Sequence, residues 1–584
     1  MKILLSAKNL VQPTVPPVAE QAAELTPSPQ DWVLISTEEL KSLHHQISCL
    51  QAETARLKSK IDEQAAQLVL KEAQIKDLKN RLFGKKTEKG SSGSSEAKKN
   101  PPTGQPKGQQ KGTQGHGRTP RPKLPVDDVI VDLPEEQKRC PTCGLPYHRR
   151  AALDETSDVI EVLVKAYIRR YHRPAYEPDT GCLCPDTPAI IIAPPPVRLL
   201  PRSQYGVSFW VDVMLSKFHY AQPIHRRLQD LCDQHLPVSP GTVAGGLRAI
   251  LPLFTPIMEA LYCRQMGEKL FFNDETRWPV FVVIEGKVGT RWYLWVTRSD
   301  SVIYYNIDPS RSAAVPGAHF AGLINGLVII VCDRYSAYKK LARLSLGGIL
   351  LAFCWAHVRR DFLDAGRGIS ALETWALEWK ERIATLYHLN ALRLEHWQPK
   401  LPLDQQSAEF QARQLALHES LQSVHVEATR LAEPEGKESD SSAKPAKGAL
   451  LKVVREQQRK IAQSLLNHWP GLSLFLTHPE VPMDNNLGEN AIRGPAVGRK
   501  NYYGSGSLWS AELAAILFSI FQTLELWGIP QRSWLTSYLQ ACAENGGKAP
   551  SNIDAFLPWS MVDTPRTKQP KPSLARPPPV VEEV

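Results

Sequence analysis

No stretch of this chain approaches the roughly 18 consecutive apolar residues that a membrane-spanning helix needs; GLVIIVC at 326–332 is the length of a strand. The opening MKILLSAKNL starts as a secretory leader would, but Lys8 cuts its apolar run too short for one. Cysteine is scarce: ten in 584 residues exclude a disulfide scaffold and fit a reducing, cytoplasmic protein. Acidic charge also falls short, with 60 Asp and Glu against 70 Lys and Arg, for a net charge of +10. That balance favours a polyanionic partner or an acidic membrane surface. What remains is ample for folding. At 42% hydrophobic residues the chain can build real cores, and its length suits three or four domains.

Residues 1–30 are proline-rich and unpatterned, which predicts disorder. Within 31–83 a heptad runs for about six repeats. One seam position holds Ile47, Thr54, Ile61, Leu68, Ile75 and Leu82; the other holds Leu43, Leu50, Leu57, Gln64, Lys71 and Leu78. This pattern predicts a coiled coil between chains, with a hairpin inside one chain as the alternative. Residues 84–125 read as a flexible basic linker, whose ten Lys or Arg against two Glu add nonspecific affinity for phosphate. Residues 126–200 carry CPTCG, with Cys140 and Cys143, and GCLCP, with Cys182 and Cys184. Four thiolates of this kind can close one tetrahedral Zn²⁺ site; four free cysteines in a small β module are the alternative. Residues 201–265 read as helices, with Ser239 as an N-cap ahead of Pro240. A helix, a short turn and a capped helix form the helix-turn-helix pattern, which would set the second helix on DNA; an ordinary helical hairpin is the alternative.

From 266 to 365 the pattern changes. KLFFNDETRWPVFVVIEG, TRWYLWVTRS and SVIYYNIDPS predict an antiparallel meander, and NGLVIIVCDRYSAY with GGILLAFCWAHVRRDF predicts a β–α–β unit. Residues 366–475 have helical spacing around a low-complexity loop, EPEGKESDSSAKPAKG, and read as an all-helical insertion. Residues 476–530 return to the preceding domain, 531–562 are helical again, and 563–584 form a Pro-rich tail predicted to be disordered.

Three acids stand out by position. Asp274 ends the first strand-like run, Asp333 ends GLVIIVC, and Glu489 opens a short helix that Pro495 should stop. Acids at strand ends can converge on one rim of a sheet. Held close, they repel one another unless a cation intervenes, and Mg²⁺ is the hard ion that oxygen ligands suit. Such a set fits two-metal phosphoryl transfer. Singly, each acid also reads as a turn residue, and Glu489 with Arg493 as a helix ion pair.

The segments NDETRWP, CDRYSAY, FCWAHVRRDF and PMDNNLGENAIRGPAVGRKNYYGSG, in this order, resemble the insertion-sequence-66 family of bacterial transposases over about residues 130–560. The resemblance implies a multidomain α+β protein: an N-terminal coiled coil, a small zinc-binding module, a helical DNA-binding domain, and a ribonuclease-H-like α/β catalytic domain with an all-α insertion. It implies an Asp-Asp-Glu triad of Asp274, Asp333 and Glu489, in preference to Glu275 and Asp484, holding Mg²⁺ or Mn²⁺. Arg493, Arg499 and Lys500, with Arg359 and Arg360 beside His357, then read as cations for DNA phosphates; a hydrogen-bonded core histidine beside surface arginines is the alternative. The expected partners are double-stranded DNA of the element's ends and target, a second or further copies of the chain, and accessory proteins of the same element, with no membrane and with action at the nucleoid. The implied activity is cutting at the element's ends and joining the 3′-hydroxyls to target DNA. A catalytically silent DNA-binding descendant and a nuclease without joining are the other readings. Cys-x-Cys at 182–184 departs from the family's usual Cys-x-x-Cys, which bears on the zinc site and not on the chemistry.

Overall fold

The computed structural model describes residues 2–6, 32–83, 165–176, 190–285, 291–324, 326–433 and 445–563. Cys140, Cys143, Cys182 and Cys184, the basic linker and the C-terminal tail lie outside the described residues. Strands β1 (Lys2–Ser6) and β2 (Trp32–Ser36) pair antiparallel, Lys2 opposite Ser36. The expectation of disorder over 1–30 is therefore corrected at its start, where KILLS offers Ile3, Leu4 and Leu5 to the strand former WVLIS. Helix α1 (Thr37–Phe83) covers the heptads as one continuous helix. Among the described seam residues, Leu50, Ile61 and Leu68 are each more than 60% exposed.

After a two-residue pairing of β3 (Ala175–Tyr176) with β4 (Ile191–Ile192), four helices follow: α2 (Val207–Met214), α3 (Ile224–Asp233), α4 (Pro240–Ile250) and α5 (Thr255–Met266). The Ser239 hydroxyl accepts the Thr242 N–H at 3.1 Å, so the capped start of α4 is as expected. Pro240–Met266 is long and apolar enough to cross a membrane by length and composition. It is broken by a 3₁₀ turn at Leu251–Phe254, and Val243, Leu247, Ile250 and Leu261 pack into the core of this chain.

The central sheet has five strands in the order β7-β6-β5-β8-β9. Strands β5 (Leu270–Pro279), β6 (Arg291–Arg298) and β7 (Ile303–Asp308) form the antiparallel meander. Strands β8 (Val328–Cys332) and β9 (Ile349–Phe353) run parallel to β5. The connection from β7 to β8 carries α6 (Ala314–His319), and that from β8 to β9 carries α7 (Ser336–Leu344). All five residues of β8 are buried, as befits a parallel strand covered on both faces.

Helices α8 (Trp355–Gly368), α9 (Glu373–Leu394), α10 (Ala408–Ala432), α11 (Pro445–Asn467) and the short α12 (Trp469–Leu472) supply the helical insertion and pack with β8 and β9. Then come α13 (Asn486–Tyr502), α14 (Leu508–Trp527), α15 (Gln531–Glu544) and the final turn α16 (Pro558–Met561). Side chains of α2–α5, β5–β7 and α13–α15 share a single core, so the helical region 201–265 is not a free-standing module. Strand β7 is a sheet edge, and α14 covers it with more than apolar surface. The Thr523 and Ser519 hydroxyls accept the Ile303 and Tyr305 N–H groups at 3.0 and 2.8 Å, closing an edge that would otherwise offer free donors.

His319, at the end of α6, is packed between Tyr262 and Tyr304, with Nε2 3.0 Å from the Gln265 amide oxygen. Burial pushes its imidazole down to about 4. The unfolded chain takes up this proton near pH 6.5 and the folded one does not, so stability is lost as pH falls from 6.5 toward 4. At pH 5 the loss is about 2 kcal/mol. Urea titrations at pH 7.5 and 5.0 should show His319→Gln with a smaller difference between the two pH values than the parent; an unchanged difference refutes the assignment.

Candidate active site

Register places the acids. Phe272 on β5 stands opposite Val331 on β8, so two positions on, Asp274 and Asp333 sit level on adjacent parallel strands. Cys332 stands opposite Phe353, and Cys354 follows with its N–H on the Cys332 carbonyl at 3.2 Å. One rim of the sheet thus carries Asp274, Asp333 and Cys354 side by side. Glu489 reaches this rim from far along the chain through Asn485, which precedes α13 and is 1% exposed. The Asn485 amide donates to the Asn273 carbonyl at 2.8 Å, and its backbone N–H donates to Cys354 Sγ at 3.3 Å. Cys354 is also the residue at the N-cap of α8, whose first turn bears His357. These contacts knot β5, β9, α8 and α13 together around the acids.

The electrostatics favour a cation. Asp274 Oδ1 accepts the Glu275 N–H at 2.8 Å, and Asp333 Oδ1 accepts the Tyr335 N–H at 3.0 Å in an Asx turn. Burial first, then the neighbouring Glu275, Asp333 and Glu489 charges, push the Asp274 carboxyl up to about 8. Burial also raises Glu275, whose side chain is 1% exposed, against Arg311 at 2.6 Å and the Tyr338 hydroxyl at 2.8 Å. Burial and then Arg360 hold the His357 imidazole below its ordinary value. His357 Nδ1 and Glu489 Oε1 are buried, 3.7 Å apart, and neither has a hydrogen-bond partner. Unpaired buried acceptors beside a carboxylate held neutral by its surroundings are what a divalent cation relieves, so the residues present fit one. Asp484 accepts the Asn486 N–H at 3.1 Å, as Asp333 accepts that of Tyr335.

Pro495 does not stop the helix. It lies inside α13, which continues to Tyr502. A helical proline leaves the carbonyl four residues back without its N–H donor. Here that carbonyl is Ala491, and the Tyr305 hydroxyl donates to it at 2.6 Å from β7. Tyr305→Phe should therefore cost about 1–3 kcal/mol by stranding the buried carbonyl. A urea midpoint indistinguishable from that of the parent protein would show that the bond does not hold α13.

The far end of α13 is latched to β5. Tyr503 and Gly504 have φ of 67° and 143°, and Ser505 N–H then donates to the Pro279 carbonyl at 3.0 Å. The Trp278 indole donates to the Ser505 hydroxyl at 3.1 Å. Arg499 spends Nη1 on the Thr276 hydroxyl at 3.0 Å and on the Arg277 carbonyl, so part of its donor set belongs to this latch. Arg493 and Lys500 are exposed on the same helix, and Glu489 faces His357 with no ion pair to Arg493. On α8, Arg360 is exposed and Arg359 half-buried. Reading the sequence missed Asn485, Asn273 and Cys354. The only signal was the pair of asparagines ahead of a helix and a cysteine between a strand and a helix.

The sequence model of the family described as Transposase IS66 family matches residues 202–513, which is more than half of the chain. Relatives come from Sinorhizobium fredii (strain NBRC 101917 / NGR234). The uncharacterized protein y4jD is 25% identical over 471 residues, covering 78% of this chain and 83% of its own. The uncharacterized protein y4hP is 22% identical over 394 residues, covering 64% and 66% respectively. The uncharacterized protein y4qI is 28% identical over 310 residues, covering 50% and 51%. The family match runs through the sheet, its helical insertion and the stretches bearing Asp274, Asp333 and Glu489, and on it this chain belongs to the IS66 family of transposases.

Proposed function

We propose that this chain is an active DNA transposase, cutting the ends of its element and joining the freed 3′-hydroxyls to target DNA. The observation that carries the reading is the convergence of Asp274, Asp333 and Glu489 on one rim, where the Asp274 carboxylate is strongly disfavoured without a cation. The mixed sheet, three strands antiparallel and two parallel in the order β7-β6-β5-β8-β9, supports a ribonuclease-H-like core.

Asp274 and Asp333 offer oxygens from adjacent strands, and Glu489 closes the site from α13. Together they hold Mg²⁺ or Mn²⁺. Divalent ions so held supply Lewis-acid chemistry, favouring deprotonation of water or a 3′-hydroxyl and loss of the 3′-oxyanion. Arg493, Lys500, Arg359 and Arg360, with the remaining donors of Arg499, seat the phosphates that flank the scissile bond. Cys140, Cys143, Cys182 and Cys184 hold one zinc ion in a separate module that serves recognition and not the chemical step.

Full-length protein on duplexes carrying the element's own ends should yield nicked strands and joined products with Mg²⁺ or Mn²⁺, and neither in EDTA. Binding without cutting under any divalent ion would make the chain a silent descendant. Cutting without joining would make it a nuclease.

The seam of α1 takes a second copy of the chain in this reading. Its exposed Leu50, Ile61 and Leu68 recur on the heptad, as a coiled-coil partner requires. Deleting residues 1–83 should lower the mass seen by light scattering to that of one chain. It should abolish complexes holding two DNA ends and leave single-end binding within a few-fold. Unchanged mass and unchanged paired complexes would assign assembly to another surface.

A further inference from the structure

We propose that His357 Nδ1 and Glu489 Oε1 are two ligands of one divalent transition-metal ion, so that nitrogen as well as oxygen holds the ion at Glu489. The inference rests on the reading of Asp274, Asp333 and Glu489 as ion-holding acids. It adds a ligand and a choice of metal.

Three observations carry it. Both atoms are buried and neither has a hydrogen-bond partner. Their 3.7 Å separation is too long for a hydrogen bond. Two atoms each about 2.1 Å from one ion lie about 3.0 Å apart at a right angle and about 3.4 Å apart at the tetrahedral angle. The observed 3.7 Å is about 0.3 Å from the tetrahedral value and about 0.7 Å from the right-angle one, so a small closing of the two side chains brings both atoms onto a shared ion. Finally, both side chains stand in the first turns of their helices, and those helices are pinned to each other. Cys354 is at the N-cap of the helix bearing His357, and its sulfur accepts the N–H of Asn485, the residue just before the helix bearing Glu489.

Cys354 Sγ lies within 4.8 Å of an imidazole nitrogen of His357 and a carboxylate oxygen of Glu489. Its sulfur is engaged by the Asn485 N–H, so it sets the distance between the two helices and is a positioning residue. The chemistry of the pair then selects the ion. Mg²⁺ and Ca²⁺ take oxygen almost alone, whereas imidazole favours the first-row transition ions. A site that combines the Glu489 carboxylate with a His357 nitrogen therefore prefers Mn²⁺, Fe²⁺, Co²⁺ or Zn²⁺ to Mg²⁺.

Mn²⁺ is the probe, because its bound form can be read by electron paramagnetic resonance without any DNA cleavage. In the full-length protein, the electron spin echo of bound Mn²⁺ should carry modulation from a directly coordinated ¹⁴N. That modulation should vanish in His357→Gln, whose Mn²⁺ affinity should fall at least about tenfold while Mg²⁺ affinity stays nearly constant. Circular dichroism establishes that the variant is folded, and the ¹⁴N measurement on the unaltered protein stands without it. Mn²⁺ that binds through Asp274 and Glu489 with no ¹⁴N modulation overturns the inference and leaves the acid site intact. Mn²⁺ binding that is indifferent to all three acids overturns the acid site, and the inference with it.

Discussion

Replacing Asp274, Asp333 or Glu489 by its amide should lower strand cleavage by on the order of a thousandfold, equivalent to about 4 kcal/mol of transition-state stabilisation. The amides keep the shape of the side chains and remove the charge that, in the proposed function, holds a divalent ion. Affinity for the uncut duplex should hold or rise, since each substitution removes a negative charge from a surface that receives phosphate. Cleavage of labelled end duplexes, with gel-shift titrations of the same preparations, measures both quantities. Asp484→Asn is the internal control. Asp484 stands outside the proposed triad, so its loss should leave the rate within a few-fold. A dead Asp484→Asn protein beside an active Glu489→Gln protein would move the third acid five residues back.

Gly504→Ala should lower the melting temperature by a few °C and weaken metal binding at the acids. At φ of 143° the position lies in backbone space that L side chains rarely adopt, and a Cβ there would overlap the Pro279 carbonyl oxygen. Backbone strain of this kind costs about 1–3 kcal/mol. The overlap adds to it by forcing Ser505 off β5 and opening the latch at the end of α13. Gly506, two residues on, has nothing within 4 Å of an added Cβ and is exposed. Gly506→Ala should therefore stay within about 0.5 kcal/mol of the parent. Equal melting temperatures for the two variants would show that the latch carries no load.

The strands and acids were legible because local patterns encode them. Five buried residues in a row, VIIVC, read directly as a central parallel strand, and Asp333 follows where it ends. Asp274, expected at a strand end, lies midway along β5, which runs on to Pro279 through its pairing with β6. The Ser239 cap was legible from local pattern too, as the accepting hydroxyl and the Thr242 N–H that donates to it are three residues apart. What escaped depends on distance along the chain. Pro495 breaks helices by local rules, and the donor that rescues Ala491 lies on Tyr305, 186 residues earlier. Asn485 meets Asn273 across 212 residues and Cys354 across 131. Neither spacing leaves a mark in composition or period. The heptads of α1 are a middle case. The helix is encoded locally, whereas what covers the exposed Leu50, Ile61 and Leu68 is not.

Glu489 follows Asp333 by 156 positions, with the helices α8–α12 in between. During synthesis at about 5–20 residues per second, Asp274 and Asp333 emerge about 8–30 s before the third acid. Through that interval β7 has an open edge, because Ser519 and Thr523, which close it, come later still. The growing chain thus passes through a stage with a half-made sheet, free strand donors and an incomplete acid site. The third acid, and the hydroxyls that close β7, are the product of the last stretch of synthesis.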